Sequence, residues 1–267
     1  IDTANKPKAW WDAYFDETTD TWHYIFQCLQ SNGGWNLCHA YRQGIDPMGL
    51  FTDNPSNPVI KGGDLWKKIC SNYFNPYSDC YKISRDSFLG KIVDEGTPEI
   101  VEKRNAYFYV TFHGFDNPHG YRGIARTTDF VNWELVNNDS IFDKYDCQFW
   151  NAPYDSNGCI GGGAASILKD NSYYYMFLEA PDINLTCNWP NQQWVLGVVR
   201  SPYLEATKWE NMANNESVII FTNKEPALSS SSCGGPAYGR IFKDLDNNIY
   251  LVITPYWRTY LYKLQRS

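Results

Sequence analysis

The chain has 267 residues and a net charge of −7; 20% of its residues are charged and 17% aromatic, with 11 Trp and 20 Tyr. This composition excludes disorder, which needs many charges and few aromatics, and argues against nucleic acid, whose phosphates need a basic surface. No apolar run approaches the roughly 20 residues of a membrane-spanning helix, and the length suits one large all-β domain.

The predicted elements come in pairs. Trp11-Asp12-Ala13-Tyr14-Phe15 and Trp22-His23-Tyr24-Ile25-Phe26 read as the first hairpin. Residues 52–96 follow as an insertion or a degenerate repeat, holding the one helical candidate, Gly63 to Cys70. Thr97-Pro98-Glu99-Ile100-Val101 and Tyr107-Phe108-Tyr109-Val110 form the second hairpin, with a third strand over Gly123 to Trp133. The third hairpin joins Ala164–Leu168 to Tyr173–Phe177; a strand at Trp194–Ser201 leads on to Trp209, and Ser217–Phe221 supplies a short outer strand. Pro236–Ile241 and Ile249–Val252 make the fourth. Polar turns such as Lys169-Asp170-Asn171-Ser172 and Asp244-Leu245-Asp246-Asn247-Asn248 separate the paired strands.

Repeated units of inner strand, second strand, third strand with its turn, and outer strand are the blades of a β-propeller. The expected fold is therefore an all-β, five-bladed propeller of four-stranded antiparallel blades, a single domain over 1–267. A β-sandwich also gives spaced hairpins, but not the recurring order of strand, polar turn and Trp. Four blades are visible; the fifth comes from residues 52–96 or from sequence before Ile1.

The eight cysteines are Cys28, Cys38, Cys70, Cys80, Cys147, Cys159, Cys187 and Cys233, and no CxxC pair occurs. An even count at wide spacing reads as a disulfide framework rather than a zinc site. Pairing sequence neighbours gives Cys28–Cys38, Cys70–Cys80, Cys147–Cys159 and Cys187–Cys233, one of 105 possible sets. Sequons at Asn138, Asn184 and Asn215 predict N-glycosylation in a secreted, extracellular protein. No signal peptide opens the chain, so Ile1-Asp2 reads as a processed terminus.

Three stretches, "TPEIVEKRNAYFYVTF", "GIARTTDFVNW" and "YYYMFLEAPD", together resemble the five-bladed propeller glycosidases of glycoside hydrolase families 43, 62 and 32. The resemblance covers residues 10 to 260 in organisation. It implies a carbohydrate partner and an active site at the central axis, worked by an acid/base pair of carboxyl groups. Asp12, in "WWDAYFD", takes the place of the family's Asp-Pro base, with Ala13 where Pro is usual.

Inner strands begin, and second strands end, at one face of such a fold. Residues at these positions supply the candidates. Asp12 either acts as the base or is a solvated residue at a strand start. Glu99 faces the channel as an acid or, by alternation, the neighbouring blade; Glu95 is one residue out of register with the family's acid motif. Glu179 ends an aromatic strand, where apolar neighbours raise a carboxyl pKa, or it pairs with an Arg. His113 donates to a sugar hydroxyl or is a buried structural histidine. Trp11 and Trp189 are candidate sugar-stacking rings.

The family pattern also places an acid near position 163, where this chain reads Ile160-Gly161-Gly162-Gly163-Ala164. The acid is therefore Glu99 or Glu179, or the protein is a non-catalytic glycan binder or secreted structural propeller. There is no EF-hand spacing, no HExxH and no GxSxG; no metal or cofactor is expected.

Overall fold

The computed structural model describes residues 8–29, 35–62, 64–65, 94–116, 119–136, 154–155, 158–159, 165–181, 194–206, 209–211, 218–221, 239–253 and 259–265. These residues form antiparallel sheets, and the chain divides into two compact units: Ile1–Pro118 with Arg122–Ser140, and His119–Tyr121 with Ile141–Ser267.

In the first unit, β1 (Lys8–Asp16), β2 (Thr21–Leu29), β3 (Trp35–Gln43) and β4 (Thr52–Asp53) form the first sheet in that order. The second sheet runs β5 (Asp94–Arg104), β6 (Tyr107–Asp116), β7 (His119–Thr127, in this unit from Arg122 on) and β8 (Glu134–Leu135). The other unit holds a short hairpin, β9 (Tyr154–Asp155) with β10 (Gly158–Cys159). Its third sheet comprises β11 (Ala165–Asp170), β12 (Tyr173–Pro181), β13 (Trp194–Ser201), β14 (Glu210–Asn211) and β15 (Val218–Phe221). The fourth has β16 (Arg240–Lys243), β17 (Ile249–Ile253) and β18 (Tyr260–Leu264).

Alternation explains why these sheets stack. On β2, Tyr24 and Phe26 join Cys38, Ala40 and Phe51 in one buried cluster. Ile25 points the other way and meets Ile100, Phe108, Val110 and Phe130 of the second sheet. A strand buried on both faces belongs inside a stack of sheets, and each such side chain contributes roughly 1.5–3 kcal/mol by leaving water.

The strand-turn-Trp order predicted from sequence is a real repeat. After β7, Thr127 Oγ1 accepts the N–H of Phe130 at 2.9 Å, and Asp129 Oδ1 accepts those of Val131 and Asn132 at 2.8 Å each. Beyond Trp133 and Trp209 come the short strands β8 and β14, each pairing back to its third strand. Arg126 stacks 4.4 Å from the Tyr107 ring and pairs with Glu134 at 2.8 Å. Arg200 repeats this with Tyr173 at 4.6 Å and Glu210 at 3.2 Å.

The segment 52–96 is not one element: Thr52–Asp53 completes the first sheet, and Asp94–Gly96 opens β5. Of its helical candidate, Asp64 and Leu65 are helical and the other residues lie outside those described, apart from the chain up to Gly62. Cys28 and Cys38 form the expected disulfide, with Cα atoms 5.8 Å apart. The cysteine side chains of the other three predicted pairs, and all three sequons, lie outside the described residues. Among the described residues no helix is long and apolar enough to cross a membrane.

Candidate functional site

Asp12 is not at a strand start; β1 begins four residues earlier, at Lys8. A bulge between Ala9 and Trp11 leaves Trp10 at φ 33°. β5 repeats the device, with a bulge between Gly96 and Glu99 and Thr97 at φ 40°. A non-glycine residue at positive φ is strained, a β-branched one especially, and such strain persists only where surrounding structure enforces it. Asp12 and Glu99 each sit two residues beyond the strained position.

The β5 bulge fixes what Glu99 faces. Gly96 opposes His113 and Glu99 opposes Thr111, so three steps on β5 match two on β6. One extra residue reverses the alternation. Glu99, Thr111 and His113 therefore share a face of the hairpin, the one turned away from the Ile100–Val110 cluster. Glu99 is buried. Arg122, fully buried, holds the bulge: its Nη1 and Nη2 donate to Thr97 Oγ1 at 3.1 and 3.2 Å. Burial, helped by the Arg122 charge, pushes His113 down to about 3, so its ring is neutral at physiological pH. Gln27 reaches in over Gly96, where an added Cβ would lie 2.7 Å from its Nε2 and 3.7 Å from His113 Nδ1. A side chain at Gly96 would have to push the Gln27 amide aside.

Asp12 faces the second sheet, and its Oδ2 accepts the main-chain N–H of Ile100 at 2.8 Å. Tyr14 and Asp16, two and four residues on, face the same way: Tyr14 meets Phe108 edge-on, and Asp16 pairs with Lys103 at 2.7 Å. The third and fourth sheets repeat this seam. Ser166 Oγ accepts the N–H of Ile241 at 3.1 Å, and Asp170 pairs with Lys243 at 2.8 Å. Register extends the match. Asp12 opposes Ile25 and Ser166 opposes Phe177, so Gln27 and Glu179 occupy equivalent places two residues further on. One seam carries Asp12 with Gln27, the other Ser166 with Glu179.

Of the sequence-predicted residues, the structure brings Asp12 to the residue next to Glu99. It places His113 on the face of Glu99. Glu179 is buried on β12 opposite Leu196, in the other unit. Trp11 is 53% exposed but lies on the opposite face of β1 from Asp12, tilted against Tyr24 at 5.6 Å. Trp189, the Gly161–Gly163 run and the side chain of Glu95 lie outside the described residues. Arg122, Gln27 and Ser166 are site residues that sequence reading missed. Ser166 alone had a signal, since "ASILKD" aligns with "DAYFD" once the hairpin turns are matched.

No family model matches the sequence, and no curated protein is similar enough to match it. Solved structures do. A thermostable family-43 glycoside hydrolase superposes with a TM-score of 0.59 at 11% identity, over 96% of this chain and 70% of that one. An endo-arabinase from Bacteroides thetaiotaomicron gives 0.56 at 13%, over 96% and 75%. A glycosyl hydrolase from Bacteroides ovatus gives 0.54 at 11%, over 93% and 60%, so the chain spans less than two thirds of that protein. The fold is that of the β-propeller glycoside hydrolases. In that fold the sheets are blades, β1, β5, β11 and β16 are the inner strands of the four visible ones, and the seams described above join blade to blade.

Proposed function

We propose that this chain is a secreted glycoside hydrolase acting on a poly- or oligosaccharide, with Asp12 as base and Glu99 or Glu179 as acid. The observation that carries the reading is the paired strain at Trp10 and Thr97, each two residues before a carboxyl, with Asp12 bonded to the residue beside Glu99. The acid protonates the glycosidic oxygen while the base draws a proton from the attacking water. His113, neutral and next to Arg122, is suited to hold a sugar hydroxyl. The Cys28–Cys38 disulfide supports an oxidising, extracellular compartment.

A second reading is favoured by a specific observation: the Asp12 oxygen that bonds Ile100 does in its seam what the Ser166 hydroxyl does in the other. A residue replaceable by serine in an equivalent place is serving the scaffold, and the protein then binds glycans without cleaving them. One comparison separates the two. Wild type, Asp12→Asn, Glu99→Gln and Glu179→Gln, each checked for native circular dichroism, are assayed for binding and reducing-sugar release on an array of plant, fungal and animal glycans. Release abolished by Asp12→Asn supports hydrolysis. Binding without release by the wild type selects the second reading, and neither binding nor release rejects both.

A further inference from the structure

At the other end of β1, about 13 Å from Asp12, the turns of the first two sheets enclose a cleft of about 630 Å³. That lies within the range of small-molecule sites. Its walls include Asp16, His23, Tyr41, Lys103, Asp129 and Phe130. Most of its polar groups are saturated by one another. Asp16 accepts from Lys103, from the Thr18 N–H and hydroxyl, and from the Thr19 hydroxyl. Asp129 is held by Thr127, Val131 and Asn132 within its own turn.

His23 is the exception, and its proton can be placed. The Ser56 N–H donates to Asn54 Oδ1 at 2.9 Å, which fixes the amide and turns Nδ2 toward His39 Nδ1, 3.2 Å away. His39 Nδ1 therefore accepts, and its proton is on Nε2. That nitrogen lies 3.1 Å from His23 Nδ1, which accepts in turn. His23 is left with its proton on Nε2, which bonds no group among the described residues. Both rings are held: Phe130 stacks on His39 at 4.0 Å and on His23 at 4.7 Å. Burial keeps both neutral, pushing His23 down to about 4 and His39 to about 3.

The cleft thus offers one oriented N–H donor beside aromatic rings, with Tyr41 38% exposed at its wall. Two carboxylates against one ammonium disfavour an anion, and both carboxylates are occupied, which disfavours a cation. A neutral ring with an apolar face and oxygen acceptors fits what remains. We propose that this cleft is a carbohydrate-binding subsite remote from Asp12, seating a neutral sugar on Tyr41 with one oxygen on His23 Nε2–H. The choice of sugar as occupant rests on the function proposed above; the direction of the Asn54–His39–His23 relay does not.

Histidine ¹⁵N NMR on the full chain tests both parts. At pH 7 both His23 and His39 should show the Nε2–H tautomer; a proton on His23 Nδ1 overturns the proposal. Titration with neutral arabinose-, xylose- and fructose-built oligosaccharides should then move the His23 Nε2 signal, in the wild type and in Asp12→Asn alike. His23→Phe, which keeps the ring stack and removes the donor, should weaken this binding about tenfold. If sugars bind but leave the His23 signal unmoved, the subsite is overturned and the proposed function stands. If neither these sugars nor any glycan of the array binds, both fall.

Discussion

Ser166 holds in its blade the place that Asp12 holds in the first: each accepts a main-chain N–H from the inner strand of the next blade, Ile241 and Ile100 respectively. The seam therefore needs an oxygen acceptor at this position and not a charge. Asp12→Ser should leave stability within about 1 kcal/mol of wild type, whereas Asp12→Leu, which strands the Ile100 donor, should cost about 1–3 kcal/mol. Urea denaturation of the two variants makes the comparison, and equal losses would show that the bond is not what Asp12 contributes.

The outer end of the same seam is ionic. Asp16 is 3% exposed and Asp170 13%, so the Asp16–Lys103 pair is the better shielded of the two. Lys103→Met should cost about 2–3 kcal/mol, because it leaves a buried carboxylate with only hydroxyl and N–H donors. Lys243→Met should cost less. Melting curves of both variants give the order, and the reverse order would contradict the burial argument.

Acid should destabilise the fold through its histidines before its carboxylates. His23, His39 and His113 are pushed down by burial to about 4, 3 and 3. Groups with depressed folded values protonate first in the unfolded chain. Their contribution is complete above the unfolded value near 6.5 and is lost as pH falls toward 4 and then 3. Each steepens the decline by up to about 1.4 kcal/mol per pH unit in that window. Asp16 is pushed down as well, but from a lower starting value: burial would raise it, and Lys103 and the Thr18 and Thr19 donors outweigh that. Its contribution persists above about 4 and goes only below. Unfolding free energies at pH 7, 5.5 and 4 test the order. A flat profile between 7 and 4 would mean that the rings are not buried as neutral groups.

The Cys28–Cys38 bridge closes a loop of 10 residues around the β2–β3 connection. A loop of that size gives about 2–3 kcal/mol by restricting the unfolded chain. The double substitution Cys28→Ala/Cys38→Ala should lower the midpoint of urea unfolding accordingly relative to the oxidised wild type, and an unchanged midpoint would show that the bridge adds nothing.

Hairpins and third-strand turns were legible because alternation and Asn/Asp punctuation are local. The site was legible only in part. Asp12 and Glu99 could be found as carboxyls near strand ends, but the face of Glu99 depends on one extra residue at Thr97-Pro98. Nothing in "GTPEI" marks a β-branched residue at positive φ. Arg122 escaped because arginine is almost never fully buried unless paired. One of its partners, Thr97, is 25 residues away. His23 and His39 are 16 residues apart and meet only because adjacent strands bring them diagonally together.

β1 and β5 are edge strands of their own sheets, and exposed edge donors are templates for pairing with a foreign strand. The bond from Ile100 to Asp12 closes one such donor with a side chain instead of a further strand, and Ser166 does the same for Ile241. Removing these two oxygens would then do more than loosen the seams. It would strand one main-chain donor at each blade junction, Ile100 in one seam and Ile241 in the other.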